Sequence, residues 1–145
     1  KPEFGIPVDG VAEGLAIASD RNLVIRQLFV QVAGFKGFEV FDYAARKMTS
    51  KVPMPAGING MMVAPDRRTL WVSSDSITAF SLPDMKKVAT IPANGVPGDI
   101  ACSAELKRCF VASSGGTVSV IDAVAMKELQ RIPVGKTPGR MILSE

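Results

Sequence analysis

The residues whose types suit binding or catalytic chemistry recur beside glycines at wide intervals along the chain. They are Glu13 before Gly14, Asn59 before Gly60, Asp99 after Gly98 and Arg140 after Gly139. If the fold gathers them at one mouth, acidic, amide and basic groups converge on a concavity, which is the usual form of a small-ligand site. Their oxygens also suit a hard cation, but three oxygen-bearing side chains fall short of the ~6–8 oxygens that Ca²⁺ prefers without help from backbone and water. The alternative interpretation is that they are the solvated polar ends of buried strands.

The sequence contains no histidine, and this excludes several classes of site. Histidine is the usual general base near neutral pH and a common metal ligand. Ser–His and Cys–His mechanisms and the Cys-x-x-Cys-His haem attachment site are therefore excluded for this chain acting alone. Two cysteines cannot supply a four-ligand zinc site either. We assign no catalytic residue, no metal site and no cofactor from the sequence.

The two cysteines, Cys102 and Cys109, lie on the two arms of one predicted hairpin whose turn is at 105–107. Antiparallel neighbours come close enough for a disulfide, which fits an oxidising compartment and an extracytoplasmic protein, secreted or periplasmic. The two residues suit a second role equally well, as small buried hydrophobic side chains. The register of the hairpin decides between these roles, because a slip of one residue would separate the sulfurs.

Three lysines occupy the same place in successive repeats, just before a predicted outer strand: Lys47, Lys86 and Lys127. One interpretation is a basic rim that meets an acidic partner or phosphates. The other is edge protection, because lysine beside an exposed strand discourages pairing with other chains. The net charge of +3 is too small to predict a nucleic-acid partner and does not exclude one.

The elements that must position these residues follow from a repeat of about 42 residues. Ile6-Pro7-Val8 returns as Ile132-Pro133-Val134, with weaker copies at 52–54 and 91–93, in steps of 46, 39 and 41 residues. A period of ~40–45 residues is typical of a propeller built from four-stranded blades. The repeats run approximately over 13–58, 59–96 and 97–137, with 1–12 and 138–145 as pieces of flanking blades.

Each repeat predicts four strands, and no segment has a convincing helical period, so the predicted fold is all-β. Small apolar residues mark the innermost strand of each blade, at 13–19, 59–65, 97–103 and 138–144. Glycine near the start of that strand permits close backbone approach where blades converge. The proline motif marks the outermost strand, whose free edge loses no ladder bond. Asp42 and Asp122 end third strands and predict Asx-turns.

The first repeat is longer than the others, with its excess at 23–27 and 32–36. This predicts a longer second strand and an enlarged loop. Phe35, Lys36 and Phe38 are candidates for a partner-binding loop, because aromatic side chains flanked by glycine can seat a partner. The alternative is that the two rings fold back onto the blade.

The last repeat resembles the YVTN-type β-propeller repeat family. The resemblance lies in Thr117-Val118-Ser119-Val120-Ile121-Asp122, Ile132-Pro133-Val134-Gly135 and Pro138-Gly139. It implies kinship with a group whose seven-bladed propellers include extracytoplasmic surface proteins, lactonase-like enzymes and binding modules, some of which contact DNA. No catalytic motif of the lactonase-like relatives is matched, so no catalytic residue is transferred from them.

The sequence therefore predicts about three blades of an incomplete ring, as one propeller segment over residues 1–145. The ring would be completed by further blades of a longer polypeptide, by another protein, or by a second copy in a six-bladed homodimer. The absence of an initiator Met and of a signal-peptide pattern favours a processed form or part of a longer chain. No apolar run approaches the ~18 residues of a membrane span. We expect a non-enzymatic binding or scaffold module, and the alternative is part of a lactonase-like hydrolase whose remaining catalytic residues lie elsewhere.

Overall fold

A computed structural model describes residues 10–135, and these form twelve strands in three four-stranded antiparallel sheets. Within each sheet, every strand pairs with the next along the chain, which is the arrangement of a propeller blade. The first blade comprises β1 (Ala12–Ser19), β2 (Ile25–Val32), β3 (Gly37–Asp42) and β4 (Lys47–Pro53). The second comprises β5 (Gly60–Val63), β6 (Thr69–Ser73), β7 (Ile77–Ser81) and β8 (Lys87–Ile91). The third comprises β9 (Pro97–Ser103), β10 (Arg108–Ser113), β11 (Thr117–Asp122) and β12 (Lys127–Pro133).

The predicted all-β, blade-repeat fold is confirmed over the described residues. The predicted inner strand at 138–144 lies outside them. Burial explains the sequence pattern within a blade: β6 is buried at every position, whereas the outer strand β4 is exposed at nearly every one. A strand covered on both faces carries a continuous apolar run, and an edge strand does not. No helix that could cross a membrane is found among residues 10–135.

The extra length of the first repeat lies mainly in its inner two strands. Both β1 and β2 have eight residues, against four and five for β5 and β6, so the longer second strand is confirmed. The following loop spans only 33–36, one residue more than the corresponding loop at 74–76. Most of the additional residues lengthen the pairing of β1 with β2, because the segment around Ile25 and Val32 is rich in β-branched residues.

Two turns of every blade contain a non-glycine residue in the left-handed region, with φ between 52° and 63°. In the turns between first and second strands these residues are Leu23, Arg67 and Lys107. In the turns between third and fourth strands they are Arg46, Met85 and Met126. In the latter group each N–H donates to the carbonyl four residues earlier at 2.8 Å. Because this strained conformation recurs at both turns of every blade, the three blades share the same pair of turn structures.

The chain divides into two compact units, residues 1–57 and 58–145. In the first, Val30, Val32 and Phe41 form a small cluster, and the ring of Phe29 meets Phe38 edge-on at 6.2 Å between centroids. In the second unit, the core lies between the second and third blades. Its fully buried members come from both sheets: Trp71, Ile77 and Ala79 from one, and Cys109, Val111 and Ile121 from the other.

Close backbone approach joins the two blades of the second unit at their innermost strands. A Cβ added to Gly60 of β5 would lie 2.7 Å from the carbonyl oxygen of Gly98 in β9. Real Cβ atoms do not approach a backbone oxygen this closely, so glycine is required here. The predicted role of glycine at the start of an inner strand is confirmed at this junction.

Candidate functional site

The polar residues predicted to gather at the inner-strand starts are only partly described. Glu13 is exposed on β1 of the first unit, whereas Asn59 and the half-buried Asp99 belong to the second. Arg140 lies outside the described residues. Within residues 10–135 no group of three or more Cys, Asp or Glu side chains is arranged to hold a metal ion. These four residues therefore stay a prediction as a ligand site.

Asn59 has a structural role that the sequence pattern did not reveal. Its Nδ2 donates to the carbonyl of Ser74 at 3.3 Å and to that of Pro97 at 3.1 Å. Pro97 is the first residue of β9, so this amide ties the second blade to the third. The neighbouring Gly60 permits the same approach through the backbone. The Asn-Gly pair is thus explained by the packing of two blades.

The predicted Asx-turn is confirmed at Asp122, whereas Asp42 bonds to an N–H group three residues on instead of two. Asp42 Oδ1 accepts the N–H of Ala45 at 2.9 Å. Asp122 Oδ1 accepts the N–H groups of Val124 and Ala125, each at 2.9 Å. These carboxylates hold the turns between third and fourth strands.

Two half-buried carboxyl groups have a lowered pKa because backbone N–H groups bond to the ionised form. For Asp122 the bond from Ala125 lowers the pKa most, followed by that from Val124, with smaller contributions from Arg108 and Lys127. For Asp20 the bond from Val24 is the largest cause, followed by Arg26, whose Nη2 lies 2.6 Å from Asp20 Oδ2. Both shifts belong to turn structure, so they do not indicate an acid–base site.

The three lysines of the predicted rim lie where the repeat placed them. Lys47 and Lys127 are the first residues of the outer strands β4 and β12, and Lys86 immediately precedes β8. All three are exposed. This position fits edge protection and a basic rim equally well, and both interpretations stay open as predictions.

The predicted partner-binding loop is corrected at Phe38. This ring is fully buried and packs against Phe29, so it is not available for contact with a partner. Phe35 is half-buried, and the ammonium of Lys51 lies 5.5 Å from its centroid. Lys36 alone of the three candidates is exposed. The reason is that Gly37 and Phe38 belong to β3. Successive side chains of a strand point to opposite faces of the sheet, and the ring of Phe38 points to a packed face.

The two cysteines form a disulfide, as the first of the two interpretations predicted. Cys102 and Cys109 are direct cross-strand neighbours of β9 and β10, with their Cα atoms 4.1 Å apart. Cys109 is fully buried and Cys102 is half-buried. A bond of this kind is characteristic of proteins that work in an oxidising environment.

Glu39, which the sequence patterns do not predict as a functional residue, is the one buried charged side chain among residues 10–135. It is 1% exposed, and neither carboxylate oxygen has a hydrogen-bond partner. Lys51, its cross-strand neighbour on β4, places its ammonium 3.6 Å from Glu39 Oε2. The only available signal was a charged residue at the centre of an otherwise apolar strand, 37–41.

One face of the first blade carries large exposed apolar side chains. Leu15 is 58% exposed and Ile17 is 47% exposed, and both project from the innermost strand β1. Beside them is a groove of about 530 Å³ on the same sheet. Its lining residues are Ala12, Glu13, Gly14, Leu15, Leu28, Val30 and Phe41. An apolar surface of this kind is typical of an interaction site.

Comparison with known proteins shows the fold and no family. No family model matches the chain, and no curated protein matches it. Among solved structures it is similar to hydrazine synthase of Kuenenia stuttgartiensis, with a TM-score of 0.70 and 22% sequence identity. The match covers 84% of this chain and 36% of that chain, so this chain spans about a third of the length of the chain it matches. At this identity the likeness shows the fold alone.

Proposed function

We propose that this chain is a non-enzymatic binding and scaffold segment of a YVTN-like β-propeller protein in an extracytoplasmic compartment. The observation that supports this proposal most directly is the exposed apolar face of the first blade. Leu15 and Ile17 lie on the strand that is innermost in its blade, where a propeller normally has neighbouring sheet on both sides. A face of this composition gains free energy when another apolar surface covers it.

The partner that best fits this face is another four-stranded blade. Two sheets pack face to face when pleated rows of apolar side chains interdigitate, and the groove beside Leu15 offers space for such a row. Glu39 lies on the same face, because its cross-strand neighbour Val30 lines the groove. A blade that brings an arginine or lysine toward Glu39 would supply the hydrogen bonds that its carboxylate lacks.

Self-association of the chain is the first test, because a second copy would bring its own four-stranded blades to the apolar face. Sedimentation velocity over a concentration series should show reversible association. Replacing Leu15 with Lys should weaken this association, because it places a charge in the apolar face. Val88, which is 47% exposed on the outer strand β8, provides the matched control as Val88→Lys. A chain that stays monomeric at every concentration, or loses association equally with both variants, contradicts the proposal.

The compartment is tested separately. The Cys102–Cys109 disulfide supports an oxidising location. Acid quenching of cells that produce the protein, followed by alkylation of free thiols, should leave both cysteines unlabelled until a reductant is added. Labelling of both cysteines without reductant would place the protein in a reducing compartment.

The non-enzymatic part of the proposal is tested against the lactonase-like alternative. Purified chain should leave a panel of aliphatic and aromatic lactones unhydrolysed above the buffer rate, with and without added Ca²⁺. Turnover that co-purifies with the chain and is lost on its unfolding would overturn the scaffold assignment.

A further inference from the structure

A second concave site lies in the unit formed by residues 58–145. It is a cavity of about 340 Å³ between the β5–β6 turn of the second blade and the β9–β10 and β11–β12 turns of the third. This volume falls in the range of small-molecule sites, roughly 300–1,000 Å³. It shares no residue with the exposed face of the first blade, so an inference from it does not depend on the proposed function.

The cavity wall is apolar and formed mainly by small side chains. Ala64 and Pro65 contribute from the second blade, and Ala104, Ala123 and Val124 from the third. Val124 is 73% exposed, so most of its apolar side chain is in contact with water. An apolar molecule entering here would remove this surface from water.

The cavity is held in shape by covalent and backbone bonds. Cys102 lines it and is bridged to the buried Cys109. The N–H of Ala123 donates to the carbonyl of Lys107 at 3.0 Å, which fastens the β9–β10 turn to the end of β11. Ala64 packs in the core cluster between the two blades. A wall fixed in this way loses little conformational entropy when a ligand binds.

The charges at the cavity favour an anion. Two cations line it, Lys107 and Arg108, against one carboxylate, Asp66. The oxygens of Asp66 already accept hydrogen bonds from its own turn, from the N–H of Arg68 at 2.8 Å and from Thr69 Oγ1 at 3.3 Å. Asp122 lies next to Ala123 in the wall and interacts with Arg108, but its Oδ1 accepts two N–H groups of the adjacent turn.

Arg108, the first residue of β10, is oriented by the turn that precedes it. Its Nη1 donates to the carbonyl of Leu106 at 3.1 Å and to that of Lys107 at 3.5 Å. A guanidinium has five N–H groups in a planar fork, and its remaining edge matches the two oxygens of a carboxylate. Fixing one nitrogen on the turn reduces the side-chain entropy lost when the group meets an anion.

We propose that this cavity is a binding site for a small amphiphilic carboxylate. The apolar tail lies against the alanine and valine wall, and the carboxylate bonds to Arg108 with Lys107 nearby. The cavity is too small for a macromolecular surface, and its apolar wall does not suit a fully hydrated ion such as phosphate.

Three probes of equal length separate the contributions of tail and charge: octanoate, octanol and octylammonium, each below its micelle concentration. Amide NMR shifts should show saturable octanoate binding at residues 64–68 and 104–108. Octanol should bind about tenfold more weakly or worse, since it lacks the charge-assisted bonds, and octylammonium should not bind. Equal binding of the three probes, or shifts spread over the whole chain, would overturn the proposal.

Variants test the two halves of the site. Arg108→Gln should weaken octanoate binding by about tenfold or more, whereas Lys87→Gln, which removes an equal charge from the outer strand β8, should leave it within about twofold. Ala104→Trp should block the cavity, and Ala125→Trp, at an exposed position of the β11–β12 turn outside the lining, should not. Thermal unfolding of each variant checks that it is folded. Octanoate binding that survives both Arg108→Gln and Ala104→Trp in folded protein places the ligand elsewhere and refutes the site.

Discussion

Glu39 combines nearly complete burial with carboxylate oxygens that accept no hydrogen bond. Lys51 lies 3.6 Å away, but its own side chain is 43% exposed and shares its charge with the ring of Phe35. Burial of a carboxylate with such incomplete compensation costs stability. A buried carboxylate left without hydrogen bonds is expected to act in an interaction and not in the stability of its own sheet.

We expect Glu39→Met to raise the free energy of unfolding by about 1–3 kcal/mol, because methionine has a similar length and no charge to desolvate. Lys51→Met should lower the same quantity, since it leaves Glu39 without its cation. Urea unfolding followed by circular dichroism measures both changes. A Glu39→Met variant that is less stable than the native chain would show that the ion pair stabilises the blade.

The turn carboxylate Asp122 gives a prediction for pH dependence. Its pKa is lowered in the folded state from an ordinary value of 3.8, so its stabilising bonds are complete above that pH. They are lost as the pH falls through the folded pKa below 3.8. The melting temperature of Asp122→Ala should therefore be lower than that of the native chain at pH 7, and the difference should shrink below pH 3.8.

Glu105→Ala removes an exposed carboxylate from another turn of the same blade and serves as the control. The difference between its melting temperature and that of the native chain should be small at pH 7. A difference for Asp122→Ala that stays constant down to the lowest pH would mean that the carboxylate does not cap the turn.

Predictions for single residues were correct where local chemistry determines the conformation, and wrong where tertiary packing determines the position of the side chain. The turn bonds of Asp42 and Asp122 follow from the affinity of a carboxylate for N–H groups two or three residues away. The burial of Phe38 could not be predicted from the sequence. The flanking Gly37 suggests a loop, but it is the first residue of β3. The backbone of Val52 lies against Gly37, and a tertiary approach of this kind is not visible in sequence.

At the scale of elements, the innermost strands β5 and β9 depend on glycine for their spacing. Gly60→Ala should reduce the free energy of unfolding by about 1–3 kcal/mol, because its Cβ would collide with the carbonyl of Gly98. Gly98→Ala is the matched control, since its Cβ would lie 3.6 Å from the nearest oxygen, an ordinary contact. Chemical unfolding of the two variants measures the difference. Equal stability of the two variants would show that the blades can separate without loss.

The positions of the strands could be predicted because each element repeats. The pairing of the strands could not be predicted in this way. The repeat placed β9 at 97–103, as observed, since an alternation seen several times is easier to recognise than one seen once. The sequence does not decide whether the disulfide forms, because this depends on the exact register of β9 with β10. The four-residue turn at 104–107 sets Cys102 directly opposite Cys109, and a turn one residue longer would have separated them.

At the scale of the whole molecule, the second unit carries its own core. Every member of its buried cluster lies within residues 58–145, including Trp71, the only tryptophan. A fragment of residues 58–145 should therefore fold, with blue-shifted tryptophan emission and a cooperative urea transition. Ile121→Ala should destabilise the fragment by about 2–5 kcal/mol. Emission typical of solvated tryptophan in the fragment would show that this core requires residues 1–57.

The six left-handed turn residues have a practical consequence for protein engineering. Each costs on the order of 1 kcal/mol relative to glycine, and none supplies a side chain to the core clusters other than Met126. Lys107 lines the proposed carboxylate site, so the starting points for thermostabilisation are Leu23, Arg46, Arg67 and Met85. Gly or Asn would replace them, since these residue types accept this conformation readily. Because the positions recur in register, a substitution that succeeds in one blade can be copied to the next, so optimisation can proceed by repeat instead of by residue.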